Sequence, residues 1–206
     1  MNTSRREPFQ ISVSYLYDPI PLGKVELDAL KDSFPEVQSL LESEVIFADA
    51  TQKKQRVQIQ SARLDYVDEE PGEFRTRNLD VLKVLFKALP NLLVKGLGVT
   101  LYLKVVVEGQ NDSGLYTINR FLNIQQLTEE TLGAKLIAAA TRITYGEPTK
   151  FFDLRVTPED IGSDLLHLHL RNHRITNLAD GARIYEESAT MYQEACNEMD
   201  RLLTSL

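Results

Sequence analysis

Strict alternation opens the patterned part of the chain. From Phe9 to Tyr17, Phe9, Ile11, Val13 and Tyr15 share one face, which predicts a half-buried strand that Pro19 and Pro21 bring to an end. A short helix is expected over 25–32. Ser33-Phe-Pro-Glu36 has the spacing of a capping box with proline in the first turn, and predicts a second helix reaching about residue 42. Strands are expected at 44–50 and 56–67, with the polar break at 51–55 joining them as a hairpin. Asp68-Glu-Glu-Pro-Gly72 reads as an acidic, solvated loop tip rather than a carboxylate site.

Helical spacing first becomes strong over 74–89, where Leu79, Leu82, Leu85, Phe86 and Leu89 form an apolar stripe. Pro90 and Gly96-Leu-Gly98 are expected to close it. The two glycines lack the spacing and the terminal Lys-Ser/Thr of a phosphate loop, so they read as a helix stop and a turn into the next strand. Residues 99–107 (VTLYLKVVV) have the β-branched, apolar character of a central strand. A turn is expected at 110–114. The following LYTINRFLNI fits either a returning strand or an irregular bridge, and a helix is expected from Thr128 to about residue 140.

The last third carries the clearest pattern. Short strands are expected at 141–145 and 150–156 around Gly-Glu-Pro-Thr, and two registers preserve their apolar face. One sets Arg142 opposite Asp153; the other gives Pro148 its preferred turn position and sets Arg142 opposite Arg155. The run DLLHLHLRNHRI then alternates so that His167, His169, Arg171 and His173 share one strand face, with Leu166, Leu168 and Leu170 on the other. A long helix is expected from about residue 180, with a seam of Ala182, Tyr185, Ala189, Tyr192, Cys196, Met199, Leu203 and Leu206. Burial of that seam follows whether the helix lies on its own sheet or pairs with a copy.

These elements predict an α+β fold: a largely antiparallel sheet with helices packed on one side and a long C-terminal helix. The 206 residues, 43% of them hydrophobic, suit a single domain over 1–206, with residues 1–7 as a flexible tail. Thirty acidic residues against 23 basic ones give a net charge of -7, which argues against binding nucleic acid through its phosphates. No apolar run approaches the roughly 20 residues that cross a bilayer. The single cysteine, Cys196, excludes an internal disulfide framework, and a cytoplasmic location is expected.

Chemistry concentrates on the histidine strand. His167 and His169 could begin a zinc site, yet Arg171 stands between them and His173, and no fourth histidine exists. No metal and no cofactor is therefore expected. Arg142, Arg155, Arg171 and Arg174 suggest instead an anion-binding sheet face, since the planar guanidinium suits carboxylate or phosphate. A nucleophile elbow is absent, and Cys196 occupies an apolar helical position. The first functional reading is a non-enzymatic interaction or assembly module that self-associates, for instance as a homodimer, and binds a protein or peptide partner. The alternative is a small-ligand or anion-binding protein, or a metal-assisted hydrolase, using the face around Arg142, Arg155, His167, His169 and Arg171.

Overall fold

Nine strands join edge to edge, every neighbouring pair antiparallel, in the computed structural model, which describes residues 8–40, 43–71, 74–89, 92–107, 112–121, 137–160 and 162–205. In chain order they are β1 (Gln10–Tyr17), β2 (Glu36–Leu40), β3 (Val45–Ala50), β4 (Gln55–Gln60), β5 (Arg63–Asp68), β6 (Val94–Val106), β7 (Thr141–Glu147), β8 (Lys150–Pro158) and β9 (Leu165–Leu178). Across the sheet the order is β2-β3-β4-β5-β1-β6-β9-β8-β7. Four α-helices accompany it among the described residues: α1 (Leu27–Lys31), α2 (Phe74–Ala88), α3 (Ser113–Phe121) and α4 (Gly181–Ser205). They pack on one face, as the sequence predicts, and the opposite face is left open.

The element order repeats. Outward from the centre, β1-β5-β4-β3-β2 runs one way and β6-β9-β8-β7 the other. Because β1 and β6 are antiparallel, the halves are related by an approximate twofold axis normal to the sheet. Such an axis maps each face onto itself, so both halves turn the same side toward the helices.

Period-2 alternation builds the core. Ile11, Val13 and Tyr15 on β1, Leu97, Val99 and Leu101 on β6, and Leu166, Leu168 and Leu170 on β9 are all buried toward the helices. Onto them α4 lays Ile184, Ser188, Met191, Ala195 and Met199, while α2 contributes Leu82, Leu85 and Leu89 just beyond its end. The buried line of α4 is thus rotated from the expected seam. Ala189, Met199 and Leu203 are buried, but Ala182 is exposed, and Tyr185, Tyr192 and Cys196 are only partly covered. Small Ser188 and Ala195 bring the helix backbone close to the bulky strand residues, and the tyrosines lie along the margin. Leu79 and Leu206 lie outside the described side chains.

Other expectations need correction. Residues 36–40 form a strand, not a helix: Val37 alone packs toward the core, and the segment pairs along β3 from Glu36↔Asp49 to Leu40↔Val45. A helix cap is worth about 1 kcal/mol, which a ladder completing the edge of β3 outweighs. The expected strand over 56–67 is two strands, folded at Ser61-Ala62, a turn without the usual glycine, proline or asparagine signal. Gly96 and Gly98 lie inside β6 instead of ending a helix.

LYTINRFLNI starts neither a strand nor a bridge but sits largely in α3. Asp112 caps that helix, its Oδ1 accepting from the Leu115 amide at 3.1 Å, and Thr117 and Ile118 are buried beneath it. The expected helix from Thr128 lies mostly outside the described residues, and 137–140 are not helical. The expected tail at 1–7 also lies outside them. Asp68, placed in a loop tip by its sequence context, is fully buried at the end of β5 and accepts from Gln55 Nε2 at 2.9 Å and the Tyr66 hydroxyl at 3.2 Å. No helix among the described residues is long and apolar enough to cross a membrane.

Candidate functional site

On the open face, strand register aligns side chains into rows. One row reads Gln10, Tyr102, His169, Arg155, Arg142 from β1 to β7. The next reads Arg56, Val67, Ser12, Thr100, Arg171, Asp153 from β4 to β8. A third reads Gln58, Asp65, Ser14, Gly98, His173, Phe151. All five candidate residues (Arg142, Arg155, His167, His169 and Arg171) therefore share this face, together with His173. Arg174 does not. Three positions from Arg171, it turns to the helix side and pairs with Glu187 and Glu194 of α4, so it leaves the proposed anion face.

The β7–β8 hairpin takes the register with Arg142 opposite Arg155 and Pro148-Thr149 at the turn. Arg142 still reaches diagonally to Asp153, donating from Nε at 2.9 Å and from a terminal nitrogen at 2.7 Å. That bidentate pair holds the Asp153 carboxyl below the usual carboxylate range, against the opposing effect of burial. Arg155 approaches the same carboxylate at 3.8 Å. Arg142, one of the arginines expected to bind an anion, is thus already engaged.

The histidines are individually occupied. His167 Nε2 lies 3.3 Å from Glu159 Oε1, which also accepts from Lys104 Nζ at 2.6 Å. His169 stands edge-on to the Tyr102 ring at 4.6 Å, and His173 lies 4.7 Å from the Phe151 ring. Burial pulls both His169 and His173 below the ordinary imidazole pKa; the charges of His167 and Arg155 add to this at His169, and that of Arg171 at His173. Both are neutral near pH 7. Among the described residues, no three of His, Cys, Asp and Glu are grouped as metal ligands.

Arg171 differs from its neighbours. A Cβ added at Gly98 would stand 2.8 Å from Arg171 Nε and 2.9 Å from a terminal nitrogen, so the guanidinium lies directly on the bare backbone of β6. Its Nε is buried without an acceptor, and no carboxylate of the described residues comes within ion-pair distance. Burial, and then the charge of Arg63, depress its pKa without removing its charge. The nearby carboxylates are taken: Asp65 accepts from Ser14 Oγ at 2.6 Å and twice from Arg63, and Asp153 holds Arg142.

A concavity of about 520 Å³ opens over this region, and its lining includes Ser12, Ser14, Asp65, Thr100, Tyr102 and Arg171. Asp65, Tyr102 and Gly98 are members that sequence reasoning missed. The signal for Gly98 was present: two glycines at alternate strand positions mark a low floor on one face.

No protein-family model matches the chain, and no curated protein matches it. Among solved structures it is similar to Methanococcus jannaschii TBP, with 12% identity, 91% of this chain and 98% of that chain covered, and a TM-score of 0.39. A likeness that slight transfers no role.

Proposed function

We propose that the protein is a non-enzymatic interaction module of the cytoplasm that self-associates and binds a protein or peptide partner on the open face of its sheet. The observation that carries this reading is the one-sided packing of the helices, which leaves a polar concavity in the middle of the other face. Most groups there that could move protons are already committed: His167 to Glu159, Asp153 to Arg142, and Asp65 to Ser14 and Arg63, while His169 and His173 pack against aromatic rings. Committed polar groups suit recognition better than proton transfer.

Self-association is supported by the sheet margins. Among the described residues β2 and β7 are edge strands, and Leu40 and Ile143 are exposed on them. An open strand edge is a template for pairing with a second copy. Sedimentation equilibrium of wild type and Ile143→Lys tests this part: a dimer that the substitution dissociates is expected, and a wild-type monomer overturns it.

Partner binding is tested by selecting peptides from a displayed random library on the wild-type protein, then rebinding them to Ser12→Trp, which fills the concavity. Binders lost in the variant are expected. Binders indifferent to it would place recognition elsewhere. The second reading, an anion-binding face, is favoured by the unpaired guanidinium of Arg171.

A further inference from the structure

We propose that Arg171 anchors a carboxylate-binding subsite, and that the group it takes is an acidic side chain of an extended partner polypeptide. This rests on the reading of the open face as the binding surface and names the chemistry that the face selects.

The geometry is that of a built site. A guanidinium presents a rigid planar fork of donors and stays charged at any physiological pH. Here it is laid flat over Gly98, where any other residue would push it away, and its Nε is buried with no acceptor among the described residues. A donor buried without a partner is costly, and a charged one more so. An incoming carboxylate neutralises the charge that the fork brings to the lining of the concavity. Thr100 stands directly across the strand pair from Arg171, and Tyr102 lies one pair along, so hydroxyls border the position.

Charge on this half of the face points the same way. On this half of the face the guanidinium groups of Arg142, Arg155 and Arg171 surround the carboxylate of Asp153, and Lys104 pairs with Glu159 beside His167. Those four cationic side chains against two carboxylates leave a positive excess on a chain whose total is -7. A segment with more than one acidic side chain matches this surface better than a neutral one does.

A monoanionic carboxylate fits better than a phosphate. Asp65 and Asp153 both lie near enough to Arg171 to act on its charge. Arg142 and Arg155 are turned to Asp153, so among these three arginines Arg171 alone offers an unpaired charge. It neutralises one negative charge, and the second charge of a dianion would face Asp65 and Asp153.

The test uses the full chain labelled with ¹⁵N and follows arginine Nε–Hε resonances, with that of Arg171 assigned by its loss in Arg171→Gln. The probes are glutamate blocked at both ends, blocked glutamine, N-acetylalanine and inorganic phosphate. A saturable shift of the Arg171 resonance is expected with blocked glutamate and not with blocked glutamine. Arg171→Lys, which keeps the charge but not the fork and is followed through the backbone amides of Thr100 and Tyr102, should weaken binding by about tenfold. Gly98→Val should abolish the response while the remaining amide spectrum stays dispersed; if that variant fails to fold, the wild-type and Arg171→Lys titrations decide alone.

No shift with blocked glutamate, or an equal shift with blocked glutamine, overturns the subsite. Tighter binding of phosphate, or of N-acetylalanine with its terminal carboxylate, overturns the assignment to an acidic side chain. Because these probes are single groups, failure here leaves the peptide selection standing, and failure of the peptide selection leaves the subsite standing.

Discussion

Tyr15 on β1 and Ser188 on α4 meet with their oxygens 2.9 Å apart and both side chains fully buried. Ser188 also donates to the Ile184 carbonyl at 2.7 Å, which makes the tyrosine the donor to Ser188. This bond ties the central strand to the long helix through the middle of the core. Tyr15→Phe should cost about 1 kcal/mol, because the serine keeps its carbonyl partner when the tyrosine hydroxyl is lost. Tyr15→Ala also forfeits the ring packed edge-on against Phe86, and should cost about 3–5 kcal/mol. Urea denaturation of the two variants measures both; equal losses would refute the division.

Met199 is 2% exposed in α4, against the strands of the core. Met199→Asp should therefore be severely destabilising, since it buries a carboxylate without a partner. Glu198 looks like the natural exposed control in the sequence, but it accepts from the Tyr145 hydroxyl at 2.6 Å and pairs with Arg201. Arg183→Ala, on the exposed side of the helix, is the better control and should stay within about 0.5 kcal/mol of wild type. Thermal melts compare them, and equal melting temperatures would exclude burial of Met199.

Legibility in the sequence followed the physics of each element. Strands with one buried face, such as β1 and β9, announce themselves because period-2 alternation survives any choice of neighbours. The shared face of His167, His169 and Arg171 was therefore readable from spacing alone. What failed depended on partners distant in sequence. Residues 36–40 carry a local helix signal, yet the edge of β3 recruits them as a strand. Gly98 looks like a turn until Arg171, 73 positions later, is seen lying on it. Asp68 reads as solvent-exposed until Gln55 and Tyr66 enclose it.

Stability should fall in two separate acid windows. His169 and His173 have lowered native pKa values, so between the unfolded value of about 6.5 and the native value the unfolded chain binds more protons. Native stability then declines as pH drops through that range and stops declining below the native pKa. Asp153 is lowered in the opposite sense of charge: its contribution persists down to about pH 3.9 and is lost only on further acidification. Urea midpoints measured at steps of pH should show the first window flattened in His169→Gln/His173→Gln and the second unchanged. A wild type flat between about pH 6.5 and 5 would contradict the histidine assignment.

Gly146 has φ of +118°, and a Cβ there would meet the Lys150 carbonyl oxygen at 2.7 Å. Both facts reserve the position for glycine beside the Pro148-Thr149 turn. Gly146→Val should destabilise by about 1–3 kcal/mol and loosen the β7–β8 register. Amide hydrogen exchange along the hairpin gives the readout. Unchanged protection at Phe151 and Phe152 would remove the case for a turn dependent on this residue.

The mirrored strand order has a consequence for how the chain finds its structure. On each flank, β3-β4-β5 and β7-β8-β9 are successive neighbours in sequence and can pair as hairpins soon after collapse. At the centre, Val13 must find Val99 across most of a half-chain. Loop-closure entropy rises with that separation, so the hairpins of the flanks form ahead of the long-range pairings of β1 with β6 and of β6 with β9. The speed of folding should then be set by those long-range pairings, in the slow range of about milliseconds to seconds typical of non-local sheets.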